Sequence, residues 1–456
     1  MTHGLLQMFA SGNWFRRTFP HGIHPDECKA GTAGKPIRRL PFPSELVLPL
    51  SQHAGAPSVS LVHPGQEVVR GEPLAKAGGF VSVPLHAPAT GKVREIALRP
   101  TAKGPRTPSI ILEVYPGDSQ EVRYGAPRDV DSMSTEEIIQ AVQDTGLVGL
   151  GGAAFPTHVK LSPPKEHSVH TVLLNGCECE PFLTTDHRIM LEQGEDIIAG
   201  MQIFIKALNA ERGIIGIEDN KLDAAESLRA LLPADGSITV EVVKTKYPQG
   251  AEKMLAKSIL GIEIPSGSYP SSVGLAVFNV SSTAQLGALL PHSQGVIERV
   301  VTITGPGVEN PGNYLVPIGT PVRFILEHLG FKGAEQTLIM GGPMMGSTVA
   351  SLDVPITKGC GGFLVLTERE LQRQTFQSAY PCINCGHCVE ACPMILNPCH
   401  LGKLAVKHRY AEMEDSYYLN DCFECGCCSY VCPAGIPLVQ YFRIAKVTNR
   451  EKAKAS

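Results

Sequence analysis

Cysteine is concentrated near one end of this chain, and its spacing there implies a specific chemistry. Ten of the fourteen cysteines lie from Cys382 to Cys432. Eight form one pattern written twice: Cys382, Cys385, Cys388 and Cys392 before Pro393, then Cys422, Cys425, Cys428 and Cys432 before Pro433. Each run reads C-x2-C-x2-C-x3-C-P, the ligand spacing of paired four-iron clusters. Three thiolates on one tight loop can hold three irons of a cube, and the fourth iron takes its thiolate from the other run. The spacing predicts one [4Fe-4S] cluster on Cys382, Cys385, Cys388 and Cys432. It predicts a second on Cys422, Cys425, Cys428 and Cys392. A zinc site would use two pairs rather than two quartets. A disulfide framework would need an oxidising compartment. Cys399 and Cys427 are surplus and are expected to pack near the clusters as small apolar residues. Two clusters side by side suit electron relay.

A second constellation lies upstream. Gly149, Gly151 and Ala154 fit G-x-G-x-x-A, but a helical pattern precedes them where the dinucleotide fingerprint needs a strand. The better reading is a loop, Gly149 to Lys160, whose glycines let backbone amides approach a phosphate or a flat ring, with Lys160 reaching the phosphate. The plainer alternative is a glycine-rich turn. An apolar strand, Thr171 to Leu174, then ends in Asn175-Gly176-Cys177-Glu178-Cys179-Glu180-Pro181. Polar groups at the carboxyl end of such a strand line the crevice where α/β sheets bind ligands. Asn175 can bond a polyol or ring amide, and Glu178 and Glu180 can accept from ribose hydroxyls or a carboxamide. The alternative for the acids is an ordinary solvated loop. Cys177 and Cys179 lack cluster spacing.

The elements that must position these groups read as several small modules. The chain has 456 residues, 43% hydrophobic and 6% aromatic, with 46 glycines and 36 prolines, which implies many turns and more than one core. A net charge of −4 gives no reason to expect a nucleic-acid partner. No apolar run reaches eighteen residues, and no basic flank with an apolar core marks a signal peptide, so a reducing cytoplasm is expected. The first forty residues are loop-like, with apolar Leu5, Leu6, Met8, Phe9, Trp14 and Phe15. They are expected to lie on the protein's own surface, with docking to a partner or membrane as the sharper alternative. Glu45 to Leu98 has short β runs punctuated by turns. Ser134 caps a helix that stops at Gly146. Ile297 to Leu366 is β-rich again, with a helix near Val322 to Leu329. Leu401 to Met413 is expected as a short connecting helix, and the basic tail after Gln440 as a solvated one.

Val83 to Val93 resembles the hammerhead of biotinyl and lipoyl carriers, but Phe80 falls where those present a lysine, so no attached group is expected. Gly149 to Lys160, joined to Asn175 to Pro181, resembles the flavin- and NADH-binding region of the NADH-oxidising subunit of respiratory complex I. The whole chain is closer to the C-subunit family of the Rnf (Rsx) electron-transport complexes. That match runs from His21-Gly22-Ile23-His24-Pro25 and Thr32 to Pro36, through Pro49 to His53, to Gly341-Gly342-Pro343-Met344-Met345-Gly346 and the second cysteine run.

The resemblance implies a multidomain α/β and α+β chain. Its parts would be an N-terminal extended segment (1–44), a barrel-sandwich or hammerhead-like β module (45–130) and an FMN/NADH-binding α/β domain (131–295). A soluble-ligand-binding β-grasp module (296–369) and an α-helical two-[4Fe-4S] ferredoxin-like domain with a basic tail (370–456) would follow. It implies non-covalent FMN near Gly149, Gly151, Gly152, Lys160, Asn175, Gly250, Glu252 and Asn279. Phe155 and Glu180 match positions that receive NAD(H). Cys177 stands where the complex I subunit has an Asp that helps hold the flavin. Thr357-Lys358-Gly359 is expected near a module interface. The implied activity is reversible electron exchange between NADH and ferredoxin-side partners, notably the B subunit. The implied place is the cytoplasmic face of the cell membrane, where other subunits move the ion. Two other readings stand beside it: a soluble flavin and iron–sulfur reductase serving a corrinoid enzyme, and a non-enzymatic electron carrier or docking subunit with a vestigial flavin site.

Overall fold

The computed structural model describes residues 17–455 apart from 103, 118, 151–153, 332–335 and 368–378. The apolar residues named above before Arg16, and Gly151 and Gly152 of the glycine loop, therefore lie outside the described residues.

Strands Glu45–Pro49 (β1), Gly91–Arg99 (β2) and Thr107–Val114 (β3) form an antiparallel sheet in the order β1-β3-β2. Lys92 and Arg94 of β2 are exposed while Val93 between them is buried, so one face is turned to the core. A smaller sheet closes the module, and Leu46, Leu48, Leu74, Val93, Ile110 and Leu112 fill it. Phe80 is exposed. Its carbonyl accepts from His158 Nε2 at 2.8 Å, which ties this module to the segment behind the glycine loop.

The next domain opens with helix Thr135–Thr145 (α1). Ser134 accepts from the Glu137 amide and the Glu137 carboxylate accepts from the Ser134 amide, a reciprocal capping box. The helix ends at Gly146 with φ 72°, where a Cβ would stand 2.7 Å from the Pro84 carbonyl, so only glycine fits. Strand Thr171–Gly176 (β4) follows, then helices Thr185–Glu192 (α2) and Gly194–Leu208 (α3), strand Arg212–Glu218 (β5), helix Leu222–Arg229 (α4) and strand Ile238–Val243 (β6). Helix Glu252–Leu260 (α5), strand Leu275–Asn279 (β7) and helix Val280–Leu289 (α6) complete the domain. The sheet is parallel, in the order β6-β5-β4-β7. Its central strands are near-continuous apolar runs because helices cover both faces. The chain steps outward from β4 to β5 and β6, then returns to the opposite side of β4 with β7. That reversal makes the carboxyl ends of β4 and β7 the switch point, where such sheets hold ligands.

The third module is a mixed sheet of Glu298–Thr304 (β8), Gly312–Pro317 (β9), Gln336–Met340 (β10) and Gly362–Thr367 (β11) with helix Val322–Leu329 (α7). The order is β9-β8-β11-β10. Arg38–Arg39 adds a parallel strand beside β9, so the end of the N-terminal segment completes a sheet rather than lying over the surface.

In the cysteine-rich domain the expected helix from Leu401 to Met413 is two, Pro398–Val406 (α8) and Tyr410–Asp415 (α9), broken where His408 takes φ 55°. The tail is solvated only in part, Arg450, Lys452 and Lys454 being exposed. It is helix Leu438–Ala455 (α10), with Phe442 and Ala445 in the core and Lys446 buried, donating to the Cys422 carbonyl and Glu424. Among the described residues no helix is long and apolar enough to cross a membrane.

Candidate functional site

The crevice at the ends of β4 and β7 gathers most of the upstream candidates. Asn175 Nδ2 donates to the Gly250 carbonyl at 2.7 Å, and Asn175 Oδ1 accepts from the Cys177 amide at 3.1 Å. Asn279 caps α6, accepting from the Ser281 and Ser282 amides at 2.9 and 3.2 Å, and its Nδ2 donates to Asp186 at 2.7 Å. Lys160 pairs with Glu252, the first residue of α5, and donates to the Val277 carbonyl at 3.1 Å. Gly149 donates to the Phe155 carbonyl at 2.9 Å, and Ser282 Oγ receives the Leu150 amide at 3.2 Å. The glycine loop is thus strapped to the N-terminus of α6. Glycine-loop backbone, two asparagines and a lysine around one crevice are the kinds of group that hold a flavin, and here Gly250, Asp186 and Glu252 position their side chains.

Glu178 is not brought to that crevice. Its carboxylate accepts from the Asp186 and His187 amides at 2.7 and 3.2 Å, holding the start of α2, with Lys29 at 3.9 Å. Asp186, unremarked in the sequence, is half-buried against Asn279. Burial first, then the Glu178 charge, push its carboxyl up to about 7.

Glu180 marks the junction of three modules. One carboxylate oxygen accepts from the Met344 and Met345 amides at 3.0 and 2.8 Å. The other is buried with no hydrogen-bond partner among the described residues. Burial raises its carboxyl above the usual range, against those amides. Gly342 is needed here, because a Cβ would fall 2.1 Å from Glu180 Cγ. Beside it, Tyr247 spends its hydroxyl on the Cys425 carbonyl at 2.6 Å. Ile23, Tyr247, Cys179, Met344, Cys425 and Cys427 share one apolar cluster across the domain boundary. The Gly22 amide donates to the Ala391 carbonyl at 3.2 Å, and Ile23 pairs with Tyr247.

The eight repeated cysteines fall into two neighbourhoods that cross the runs. The thiol of Cys428 has Cys422, Cys425 and Cys392 as its stronger electrostatic neighbours and Cys388 as a weaker one, and Cys422 has Cys425 and Cys392. The thiol of Cys388 has Cys432 and Cys382. Cys399 joins the latter group, its sulfur 3.8 Å from that of Cys382. Among the described residues no three such side chains converge tightly enough for a single metal ion. A four-iron cube takes one thiolate per iron, and eight free thiols drawn from both runs supply that donor set. The neighbourhoods differ in exposure: Cys392 and Cys428 are buried, whereas Cys382 and Cys385 are exposed. Cys427 is fully buried against Cys425, as its expected packing role requires.

A ligand crevice on a parallel sheet, joined through Tyr247 to two quartets of thiols, defines a flavin and iron–sulfur electron-transfer subunit. Four family descriptions match in chain order: the RnfC barrel sandwich hybrid domain at residues 17–115, the Nuo51 FMN-binding domain at 142–288, the SLBB domain at 300–348 and the 4Fe-4S dicluster domain at 378–436. The chain is 41% identical over 444 residues to the C subunit of the proton-translocating ferredoxin:NAD(+) oxidoreductase complex of Clostridium ljungdahlii, covering 96% of each chain. It is 39% identical to the C subunit of the Na(+)-translocating complex of Acetobacterium woodii, over 88% of this chain and 90% of that protein. It is also 39% identical to the C subunit of the ion-translocating oxidoreductase complex of Cronobacter sakazakii, over 99% of this chain and 58% of that one. The chain belongs to the C-subunit family of the ion-translocating ferredoxin:NAD+ oxidoreductase, or Rnf, complexes.

Proposed function

We propose that this chain is the peripheral NADH-facing subunit of an Rnf-type complex on the cytoplasmic face of the cell membrane. It would pass electrons between NAD(H) and ferredoxin-side partners, notably the B subunit. The observation that carries the reading is the Tyr247 hydroxyl on the Cys425 carbonyl, which joins the crevice domain to the inner thiol quartet. Lys160, Asn175, Gly250, Glu252 and Asn279, with Gly149, line the flavin crevice. A flavin bound there exchanges hydride with a nicotinamide and single electrons with iron–sulfur clusters. Phe155, half-buried behind the glycine loop, offers a face for stacking. The unpartnered oxygen of Glu180 supports a role in accepting from a carboxamide or ribose hydroxyl. Glu178 serves the start of α2 instead.

The crossed neighbourhoods support Cys422, Cys425, Cys428 and Cys392 as ligands of an inner cluster. They support Cys382, Cys385, Cys388 and Cys432 as ligands of an outer one. Burial of Cys392 and Cys428 and the Tyr247 contact with Cys425, against exposure of Cys382 and Cys385, support a relay in the order crevice, inner cluster, outer cluster, partner. Protein purified without air should contain two clusters and one releasable flavin, with iron, sulfide and flavin counted alongside the spectrum. It should reduce an artificial acceptor with NADH. Zinc in place of iron, or no NADH-dependent reduction by flavin-replete protein, would overturn the reading.

A further inference from the structure

Between α6 and β8 lies a cavity of about 200 Å³. Arg299 lines it. The side chain is 1% exposed. One terminal nitrogen donates to Gln285, while Nε and Nη2 have no hydrogen-bond partner among the described residues. A guanidinium stays charged at any ordinary pH, so two buried, unspent nitrogens with three N–H groups between them are costly unless something accepts from them. The nearby acids do not fill that need. Glu298 is paired with Arg39 and Arg70, and Asp186 is held by Asn279 and Ser281. Asp196 lines the same cavity but makes no ion pair with Arg299 among the described residues.

Two further residues of its lining set the cavity beside the flavin crevice. Ser281, in the first turn of the ten-residue helix α6 and two residues from Asn279, lines it, with Ala284, Gln285 and Ala288 further along the same face. Leu150 lines it too, which brings the glycine loop to the same space. Ala284 and Ala288 leave room. Lys160, the cation the sequence offers for a phosphate, is already neutralised by Glu252.

We propose that Arg299 is the cation of a phosphate-group site at this cavity. The phosphate is either the monoester of the flavin seated in the adjoining crevice or free inorganic phosphate. The first source rests on the flavin reading above, and the second does not.

Flavin fluorescence titration of the full, cluster-loaded chain separates them, with FMN and riboflavin as probes and R299Q beside wild type. The expected result is that R299Q loses FMN affinity roughly ten- to hundredfold, the worth of charged hydrogen bonds, while riboflavin affinity holds. Inorganic phosphate should raise the melting temperature of flavin-free wild type but not of R299Q. It should also weaken wild-type binding of FMN and not of riboflavin, a measurement that needs no variant to fold. If phosphate stabilises wild type while neither flavin binds, the flavin reading fails and the phosphate site stands. If FMN keeps its preference in R299Q and phosphate neither competes nor stabilises, the site is overturned. If R299Q does not fold, absence of phosphate competition in wild type has the same meaning.

Discussion

Asn279 and Asn175 are direct register partners across β7 and β4. They stand side by side at the sheet's switch point, yet their amides are spent in different directions. Asn175 holds the loop before α5 through the Gly250 carbonyl, and Asn279 holds the first turn of α6. The pair fixes the two walls of the crevice from one backbone register. A slip of one residue would turn both side chains to the other face of the sheet.

Asn279→Ala therefore removes a helix cap and a partner of half-buried Asp186 together. A lost cap alone costs about 0.5–2 kcal/mol, and the orphaned carboxylate adds to it. Chemical denaturation should report a loss at the upper end of that range or beyond, with weaker flavin retention.

Glu178→Ala should separate fold from site. It leaves two amides at the start of α2 without an acceptor and Lys29 without its nearest carboxylate. The expected outcome is a stability loss of about 1–3 kcal/mol, with flavin affinity in the folded fraction unchanged. A selective loss of flavin binding at unchanged stability would return Glu178 to the binding machinery.

The crossed assignment makes an opposed pair of predictions. Cys432→Ser should remove the outer cluster and spare the inner, and Cys392→Ser should do the reverse, each leaving about four of eight irons. Spectra of the surviving cluster should differ between the two variants. If each substitution instead abolished the cluster of its own run, the runs would not exchange ligands.

Lys358 carries a pH signature. It is buried where three modules meet, donating to the Pro84 and Gly146 carbonyls at 2.7 Å each. Burial, then the Arg299 charge, pull its ammonium down to about 7 from the ordinary 10.5. Between those values the unfolded chain holds a proton that the folded chain lacks. Stability should therefore rise with pH from about 7 towards 10 and be lost as pH falls through that window. Lys358→Met should flatten this slope in melting curves taken across the range.

Local signals were legible where neighbours in sequence decide the outcome. Ser134, Glu137 and Gly146 bracket α1 because capping needs only four residues and a left-handed end. The cysteine runs were legible because cluster spacing is local too. The break at His408 was not, nor the docking of α10, since both answer to packing around Leu401, Met413 and Phe442. The strand at Arg38–Arg39 depends on an edge nearly 280 residues away. Arg299 did leave a trace: a charge set among the apolar residues of Val300 to Thr304. Nothing in the sequence told that two of its guanidinium nitrogens would lie unspent in a cavity that Leu150 also lines. The Tyr247 contact with Cys425 joins residues 178 apart, beyond any motif.

The unequal cover over the two thiol quartets also sets how this chain wears out. Oxygen reaches Cys382 and Cys385 before it reaches Cys392 and Cys428. Damage in air should thus proceed from the rim inward, cutting the link to the partner first and leaving a reducible stump that still answers to NADH.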